Sequence, residues 1–348
     1  PTARSGSIQE RNILRSQRFV LTIRAWTEQR KGNWPKAIEA IEQSEIVARR
    51  TNQMPFPLSP LDTAVIRTYI VDDLADALSY KVYIYRNAGR LVEAEQALRD
   101  YLRLSKEINL AAIHKASLYE SAASLRQAQR DFPQAEKLAI RSLDFQLQTG
   151  RGENEIQTRN KLILIAIALA SQGKYAEAQK WVDRIDRSYS QPLPLAQVNF
   201  PFERAYISLG LGQYDVAATL FERTLVSNQQ IFGENHFFTA QSRGMYGVAL
   251  WRGGASDAQG KALVALADAV RDLVHPRNAE YLDSLGYRPE LRHQIITTYI
   301  EALAQTKSDQ ISHAMGLADW LRAGSTQEAL ADAAIRAAAK TQGLSDLV

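Results

Sequence analysis

Apolar residues recur along most of the chain at spacings of three and four, which places them on one face of an α-helix. Two of the clearest stripes are Leu162, Ile165, Ala166 and Leu169, and Ala217, Leu220, Phe221 and Leu225. Strict alternation of apolar and polar residues, which is typical of a half-buried β-strand, is almost absent. The pattern therefore predicts an all-α protein.

A short phrase recurs five times between these helical stripes. It consists of Gly or a polar residue, any residue, an aromatic or large apolar residue, any two residues, and Ala. The five copies end at Ala37, Ala94, Ala135, Ala178 and Ala217. Gly suits a left-handed residue that ends a helix, and the aromatic residue suits the angle between that helix and the next. Ala suits a close helix crossing, which a larger side chain would force apart, so the phrase predicts a helical hairpin.

A second small residue supports the same repeat. The position twelve residues before each phrase-ending Ala holds Ala25, Val82, Ala123, Ala166 and Ala205. Four of these five are Ala, although the phrase itself does not require it. Successive phrases lie 57, 41, 43 and 39 residues apart, the first interval containing an inserted linker. Repeats of this kind stack on their neighbours, and we expect antiparallel hairpins stacked into a right-handed superhelix, an α-solenoid.

The phrases resemble those of tetratricopeptide repeat (TPR) proteins, in particular the longer-looped type found in kinesin light chains. Segment 232–240 reads Phe-Gly-Glu-Asn-His-Phe-Phe-Thr-Ala. It looks like the loop between repeats of that type, Phe-Gly-x-x-His-Pro-x-Thr-Ala, with Phe237 in place of the Pro. The resemblance implies a concave groove, lined by the first helix of each hairpin, in which a protein or peptide binds.

By that resemblance, groove-facing side chains lie at fixed distances before each phrase-ending Ala. The predicted partner-binding residues are Tyr83, Arg86, Glu120, Ser124, Gln127, Asn160, Ile163, Ile167, Asn199, Phe202 and Tyr206. This groove is polar in the second and third hairpins and apolar in the fourth and fifth, which suits an amphipathic helix or an extended peptide. The alternative is that Ile163, Ile167 and Phe202 pack within the chain. Pro201 either starts its helix or kinks it, and so affects which side chains of that helix face the groove.

The domain prediction is a single TPR solenoid over residues 1–348. It comprises a first hairpin at 1–50, a linker at 51–59, clear repeats at 60–240, degenerate repeats at 241–322 and a C-terminal helix at 323–348. The linker is rich in Pro and Asn, and the degenerate sixth hairpin has a Gly-Gly turn but no aromatic residue in it.

The C-terminal segment carries a second resemblance. Residues 317–322 read Leu-Ala-Asp-Trp-Leu-Arg, 327–330 read Gln-Glu-Ala-Leu, and an Ala-rich stretch follows to 339. This looks like the helical segment that joins a TPR array to the caspase-like CHAT peptidase domain in bacterial proteins. It implies that such a domain lies beyond Val348. That family's chemistry uses a Cys–His pair, and because this chain has no Cys, no catalytic residue carries over.

The charge balance is mildly basic, with 42 Lys and Arg against 38 Asp and Glu, a net charge of +4. Arg11, Arg15, Arg18 and Arg24 recur at helical spacing. A solvated helix face is the favoured interpretation over a nucleic-acid or membrane patch, because no repeated aromatic or Gly-rich interleaving accompanies these arginines. The pair 72–73, Asp-Asp, is also interpreted as solvated, since adjacent helical residues point in different directions.

Sequence signals of catalysis or metal binding are lacking. Without Cys there are no disulfides, thiolate ligands or cysteine nucleophile. The five His residues, His114, His236, His275, His293 and His313, have no metal-ligand spacing. Neither a Gly-x-Ser-x-Gly motif nor a phosphate-binding Gly-rich loop occurs, and no stretch approaches the roughly 18 apolar residues of a membrane span. We therefore predict no catalytic residue, metal or cofactor.

These observations predict a non-catalytic protein–protein interaction scaffold, the sensor or recruitment region of a bacterial TPR–CHAT protease. The alternative is a stand-alone TPR adaptor or regulator that binds a short peptide or amphipathic helix. The expected partner is a protein or peptide and not a nucleic acid. The bacterial cytoplasm and the periplasm both stay open, because the chain starts at Pro1 and a removed signal peptide would leave no trace.

Overall fold

The computed structural model describes residues 8–54, 60–191, 198–274, 289–306, 310 and 312–322. All of its regular elements are helices. In chain order they are α1 (Ile8–Arg30), α2 (Trp34–Gln53), α3 (Pro60–Asn87), α4 (Leu91–Glu107), α5 (Ala112–Ala128), α6 (Phe132–Leu147), α7 (Ile156–Ala170), α8 (Tyr175–Arg187), α9 (Pro201–Gly210), α10 (Tyr214–Phe232), α11 (Phe237–Gly253), α12 (Gln259–Leu273), α13 (Pro289–Thr306) and α14 (312–322).

Helices adjacent in the chain pack against each other as antiparallel hairpins. α1 packs on α2, α3 on α4, α5 on α6, α7 on α8, α9 on α10, and α11 on α12. Each hairpin also contacts the next, so the array is continuous from α1 to α13. This arrangement, in which every hairpin contacts mainly its neighbours, is that of a helical solenoid. The predicted all-α class of stacked TPR-like hairpins is confirmed.

The hairpin turns need one residue in the left-handed backbone region. Gly32, Gly89, Gly173 and Gly212 have φ between 71° and 77°. The third phrase has Arg130 at this position instead, and its φ is 61°. The turn is closed as elsewhere: the N–H of Asp131 donates to the carbonyl of Arg126 at 2.9 Å. A Cβ in this region costs roughly 1–2 kcal/mol, so the third turn is strained relative to the other four.

The small residues of the repeat lie at the helix crossings. All five phrase-ending Ala residues are 0% exposed. The five residues twelve positions earlier are at most 1% exposed. The aromatic residue of the fourth phrase, Tyr175, lies directly against Gly210 at the end of α9, and a Cβ at Gly210 would collide with its ring. The aromatic residue thus fills the angle between one hairpin and the next.

The interpretation of the α1 arginines as a solvated face is wrong for Arg11 and Arg18, whereas Arg15 and Arg24 are exposed. Arg11 and Arg18 are 3% and 8% exposed. Arg11 donates to the carbonyls of Thr51 and Met54 at 3.3 and 3.1 Å. Arg15 Nε and Arg18 Nη2 donate to the two carboxylate oxygens of Asp73 at 2.7 and 2.8 Å. These residues join α1 to α2 and α3, because that face of α1 is packed within the array.

The interpretation of residues 72–73 as solvated is wrong for the same reason. Asp73 is 3% exposed and binds the α1 arginines. Asp72 Oδ1 lies 2.7 Å from Nε2 of the buried His114 on α5. The two adjacent carboxylates point to different neighbours, one on each side of α3. Both hold α3 within the stack.

Of the other predictions from the sequence, some concern residues that the structure describes and some do not. α2 continues to Gln53, into the segment expected as a linker, and Pro201 starts α9 without kinking it. α13 packs on α11 and α12. Residues 323–348 lie outside the described part of the chain, and the division of the solenoid stays a prediction. None of the helices that the structure describes is long and apolar enough to cross a membrane.

Candidate functional site

A cavity of about 580 Å³ lies on the concave side of the solenoid. Residues from all six hairpins and from α13 line it, from Gln29 of α1 to Leu291 of α13. The cavity falls within the size range of ligand pockets in proteins, which is roughly 300–1,000 Å³. The stack therefore curves enough to bring its first and last described hairpins to the same space.

The cavity crosses the first helices of the hairpins obliquely. In the first three hairpins it is lined by their last turns, at Arg30, Arg86 and Gln127. In the fourth hairpin it is lined by the second half of α7, at Leu164 and Ile167, and in the fifth by the first turn of α9, at Phe202. Each hairpin of a solenoid is rotated relative to the one before it. The concave surface therefore moves along successive helices from their ends to their beginnings.

Tyr83 and Arg86 on α3 form the polar wall of the cavity. Arg86 Nε and Nη2 donate to Oδ1 of Asn87 at 3.1 and 2.8 Å. The Arg86 guanidinium also lies 5.2 Å from the centre of the Tyr83 ring. Tyr83 OH accepts a hydrogen bond of 3.3 Å from Gln29 of α1. Burial lowers the pKa of the partly buried Arg86, with the nearby Tyr83 and Glu120 opposing that shift.

The third hairpin extends this polar wall. Ser124, Gln127 and Arg130 all line the cavity. Gln127 Nε2 donates to Ser171 Oγ at 2.8 Å, which ties the third hairpin to the fourth. Arg130, in the strained turn, lines the cavity together with Arg30 and Arg86, so three arginines contribute to this half of the lining.

The opposite wall is apolar and aromatic. Phe202 packs edge-on against the buried Phe221 at 5.3 Å between ring centres. Phe232 and Phe238 lie 5.4 Å apart, and the His236 ring stacks on Phe232 at 4.6 Å. His236 also caps α11, since its Nδ1 accepts a hydrogen bond of 3.2 Å from the Phe238 N–H. Burial lowers the pKa of His236, which favours the neutral ring that this cap requires.

Six of the eleven predicted site residues line this cavity. They are Tyr83, Arg86, Ser124, Gln127, Ile167 and Phe202. The other five are held within the scaffold or lie beside it. Glu120 accepts a 2.5 Å hydrogen bond from the buried Lys161, and Asn199 donates to Tyr189 OH at 2.6 Å. Ile163 and Tyr206 are 5% and 8% exposed, and Asn160 is a partly buried residue of α7 outside the cavity lining.

Further residues line the cavity that the fixed-offset prediction missed. The hairpin turns contribute Trp34, Arg130 and Phe132, and the two sides of the loop between α10 and α11 contribute Phe232 and Phe238. The sequence signal for the last two was present in the loop that resembles the kinesin light chain type. Two Phe residues beside such a polar loop indicate a contact surface, because aromatic residues are enriched at binding sites.

Metal binding finds no support in this part of the chain. Among the residues that the structure describes, no group of three or more His, Cys, Asp or Glu is placed to hold a metal ion. The His114 site, with Asp72 and Asp76 beside it, is an interhelical contact between α5 and α3. The cavity offers guanidinium, amide, hydroxyl and aromatic groups, which bind ligands by hydrogen bonds and apolar contact.

The hairpins and the cavity define a TPR-type helical-repeat fold. No protein-family model and no curated protein matches the chain. Solved structures to which it is similar include BtubC (BKLC) from P. vanneervenii, at 16% identity and a TM-score of 0.34 over 89% of this chain and 93% of that one. A Rap protein complexed with Competence and Sporulation Factor matches at 14% identity and a TM-score of 0.44, over 86% and 97%. Yeast Tom70 matches at 12% and 0.37, over 90% of this chain and 58% of that one.

Proposed function

We propose that the chain is a non-catalytic interaction scaffold that binds a short segment of a partner protein in its concave cavity. The observation that supports this most directly is the convergence of residues from six hairpins and from α13 on one space. Such a cavity needs the whole array to form it. The polar and aromatic groups that line it are of the kinds that orient and anchor peptides.

The finer form of this proposal is that the scaffold recruits partners for a caspase-like CHAT peptidase domain in the same polypeptide. It is supported by the resemblance of the segments at 317–322 and 327–330. Sequencing the gene past the codon for Val348 tests it. A downstream reading frame that encodes a domain with a His and Cys pair is the expected result. An immediate stop codon, or a downstream domain without these residues, contradicts the proposal.

Peptide display on the full chain, followed by direct binding measurements, tests the scaffold itself. Tyr83→Ala and Phe202→Ala alter opposite walls of the cavity, and both are expected to weaken the binding of selected peptides. Val92→Ala, at a residue of α4 that is 58% exposed and outside the cavity, is the matched control. Thermal unfolding verifies that each variant folds. Unchanged affinity in both cavity variants contradicts the proposal.

A further inference from the structure

We propose that two copies of this chain associate through the outer face of α1, with the two α1 helices packed antiparallel about a two-fold axis. The outer face is the side of α1 opposite its buried residues. It carries Gln9, Ile13, Ser16, Val20, Ile23, Arg24 and Thr27. The inference concerns a surface outside the concave cavity and does not depend on the proposed function.

The outer face of α1 exposes large apolar side chains. Ile13 and Val20 are 47% and 62% exposed, and Ile8 at the start of the helix is 51% exposed. These three residues and Val47 of α2 line a groove of about 1,000 Å³ that runs along α1. The terminal repeat of a solenoid needs a polar outer face to stay soluble when nothing covers it. The apolar outer face therefore indicates a covered surface.

The later hairpins show which side of a first helix is covered elsewhere in the array. The residue seventeen positions before the phrase-ending Ala is Val20 in α1, and its equivalents in α3, α5 and α7 are Ala77, Leu118 and Lys161. These three equivalents are at most 4% exposed, in contrast to Val20. The same side of the helix is thus buried in three later hairpins and exposed in the first.

Two contacts identify the preceding hairpin as the element that covers this side. Ile84 of α3 is fully buried in one cluster with Ile41 of α2. Lys161 of α7 donates a hydrogen bond of 2.5 Å to Glu120 of α5. In α1 the position equivalent to Ile84 holds Thr27, which is exposed. Because consecutive helices of the array are antiparallel, the neighbour that α1 lacks among the described residues is a helix antiparallel to it.

A second copy of α1 fits this role because the outer face is complementary to itself. In an antiparallel pair centred between Ser16 and Gln17, Ile13 of each copy lies against Val20 of the other. The small Ser16 lies at the crossing, where it lets the two helices approach closely. A contact of this kind uses the same surface on both copies and closes at two copies. It therefore predicts a dimer.

The charge on the outer face favours the antiparallel direction. A parallel pair would bring the two Arg24 side chains together. The antiparallel pair places each Arg24 beside the uncharged Gln9 of the second copy. The two Arg24 residues are then about 20 Å apart along the helix axis, a distance at which salt screens most of their repulsion.

Association at this face leaves the concave cavities open. Gln29 and Arg30, at the end of α1, line the cavity, and they lie beyond the paired residues 9–24. Each dimer therefore carries two cavities. A partner with two binding segments would bind such a dimer more tightly than it binds a single copy, because the second binding event is intramolecular.

Sedimentation velocity of the full chain over a range of micromolar concentrations tests the association. We expect a monomer–dimer equilibrium in the parent chain. Val20→Lys should raise the dissociation constant of the dimer about a hundredfold, because each copy loses an apolar contact and buries a charge. The matched control is Val264→Lys on α12, since Val264 is 64% exposed and lies outside both α1 and the cavity.

The control should dimerise as the parent does, and thermal unfolding verifies that both variants fold. A parent chain that stays monomeric over this range overturns the proposal. The same holds if Val20→Lys dimerises as tightly as Val264→Lys, because the chains then associate through another surface.

Cross-linking tests the geometry of the pair, and the absence of native Cys from the chain makes it specific. Ser16→Cys should form a disulfide-linked dimer on mild oxidation. Ser256→Cys, at an exposed residue of the turn before α12, measures linking by random collision and should give little dimer. Association without a Ser16→Cys link, as in a head-to-tail contact between the two ends of the array, overturns the proposal.

A mixture of two variants tests the direction of the helices. Ile13→Cys is mixed with an equal amount of Val20→Cys that carries a longer affinity tag, so that the linked species differ in mass. The antiparallel pair should give mainly links between the two variants, because Ile13 of one copy lies against Val20 of the other. If each variant links mainly to itself, the helices are parallel and the proposal is wrong.

Discussion

Arg126 of α5 and Glu95 of α4 form a buried ion pair across the junction of the second and third hairpins. Arg126 Nη1 lies 2.9 Å from Glu95 Oε2, and the two side chains are only 9% and 7% exposed. Gln129 Nε2 donates to the same oxygen at 3.0 Å. The carboxylate thus organises both residues at the end of α5, just before the strained turn at Arg130.

Removing one partner of this pair should be strongly destabilising. Glu95→Ala leaves the Arg126 guanidinium buried without its counter-charge, and we expect a loss of about 3–5 kcal/mol in the free energy of unfolding. Urea denaturation measures this. The double variant Glu95→Leu/Arg126→Met should recover most of the loss, because a well-packed apolar pair often replaces a buried ion pair at little cost. A double variant as unstable as Glu95→Ala contradicts this account.

Gly244 should not tolerate a side chain. A Cβ there would lie 2.7 Å from Cδ1 and from Cγ2 of Ile295, which joins α11 to α13. Gly244→Ala should cost about 1–3 kcal/mol through overpacking, and Ile295→Val in the same chain should restore part of it. The control is Gly260→Ala on α12, where nothing lies within 4 Å of the new Cβ. Thermal unfolding should show this control as unchanged or slightly stabilised, and an equal loss in both variants contradicts the packing argument.

His236 should make stability depend on pH. Burial lowers its pKa from the ordinary value of 6.5. Below that value the unfolded chain binds a proton that the folded chain does not, so the contribution of His236 to stability is complete above about pH 6.5. It is lost as the pH falls through the folded-state pKa. Protonation of Nδ1 would also break the cap on the Phe238 N–H.

The variant His236→Asn isolates this effect. Asn is a good N-cap residue with no titration in this range, so the variant should retain the cap and show a smaller loss of stability between pH 7 and about pH 5. Urea denaturation at a series of pH values gives the comparison. A parent and variant with parallel pH profiles would show that His236 is not the responsible group.

Asp73 should hold α1 to the rest of the array. Asp73→Asn weakens both bonds to Arg15 and Arg18, and the side chain of Asp73 is only 4% exposed. We expect a loss of about 3 kcal/mol together with faster amide hydrogen exchange in α1. Asp319→Asn is the matched control, since its pair with Arg322 is exposed on both sides and such pairs contribute little. Exchange in α1 at the parental rate contradicts this role.

The sequence predicted the hairpins well because their determinants are local. Helix crossings require small residues at fixed separations, and the residues at Ala94, Ala178 and Ala217 are all fully buried. Left-handed turns require Gly or tolerate a strained substitute, as at Gly89 and Arg130. These constraints act over one hairpin, so a pattern within about forty residues is enough to reveal them.

The cavity could be predicted only in part, because its position depends on rotations that accumulate between hairpins. Ile163 and Ile167 lie one helical turn apart on α7, yet Ile163 is 5% exposed in the core and Ile167 lines the cavity. A rule that counts residues back from the phrase-ending Ala places both side chains in the groove and cannot tell the buried one from the one that lines the cavity. The interpretation of Arg18 as solvated failed for a related reason, since its partner Asp73 lies more than fifty residues away in the chain.

The oblique path of the cavity has a mechanical consequence. The width of the cavity is set by the sum of the rotations between successive hairpins from α1 to α13. A small change in the rotation at any one junction therefore produces a larger displacement between the two ends of the array. A ligand that contacts both walls of the cavity stabilises one set of these rotations. By linkage, a change in the rotations alters the affinity for that ligand. Junctions whose residues do not line the cavity, such as Gly244 against Ile295, are therefore places at which a second molecule could change which ligand the cavity accepts.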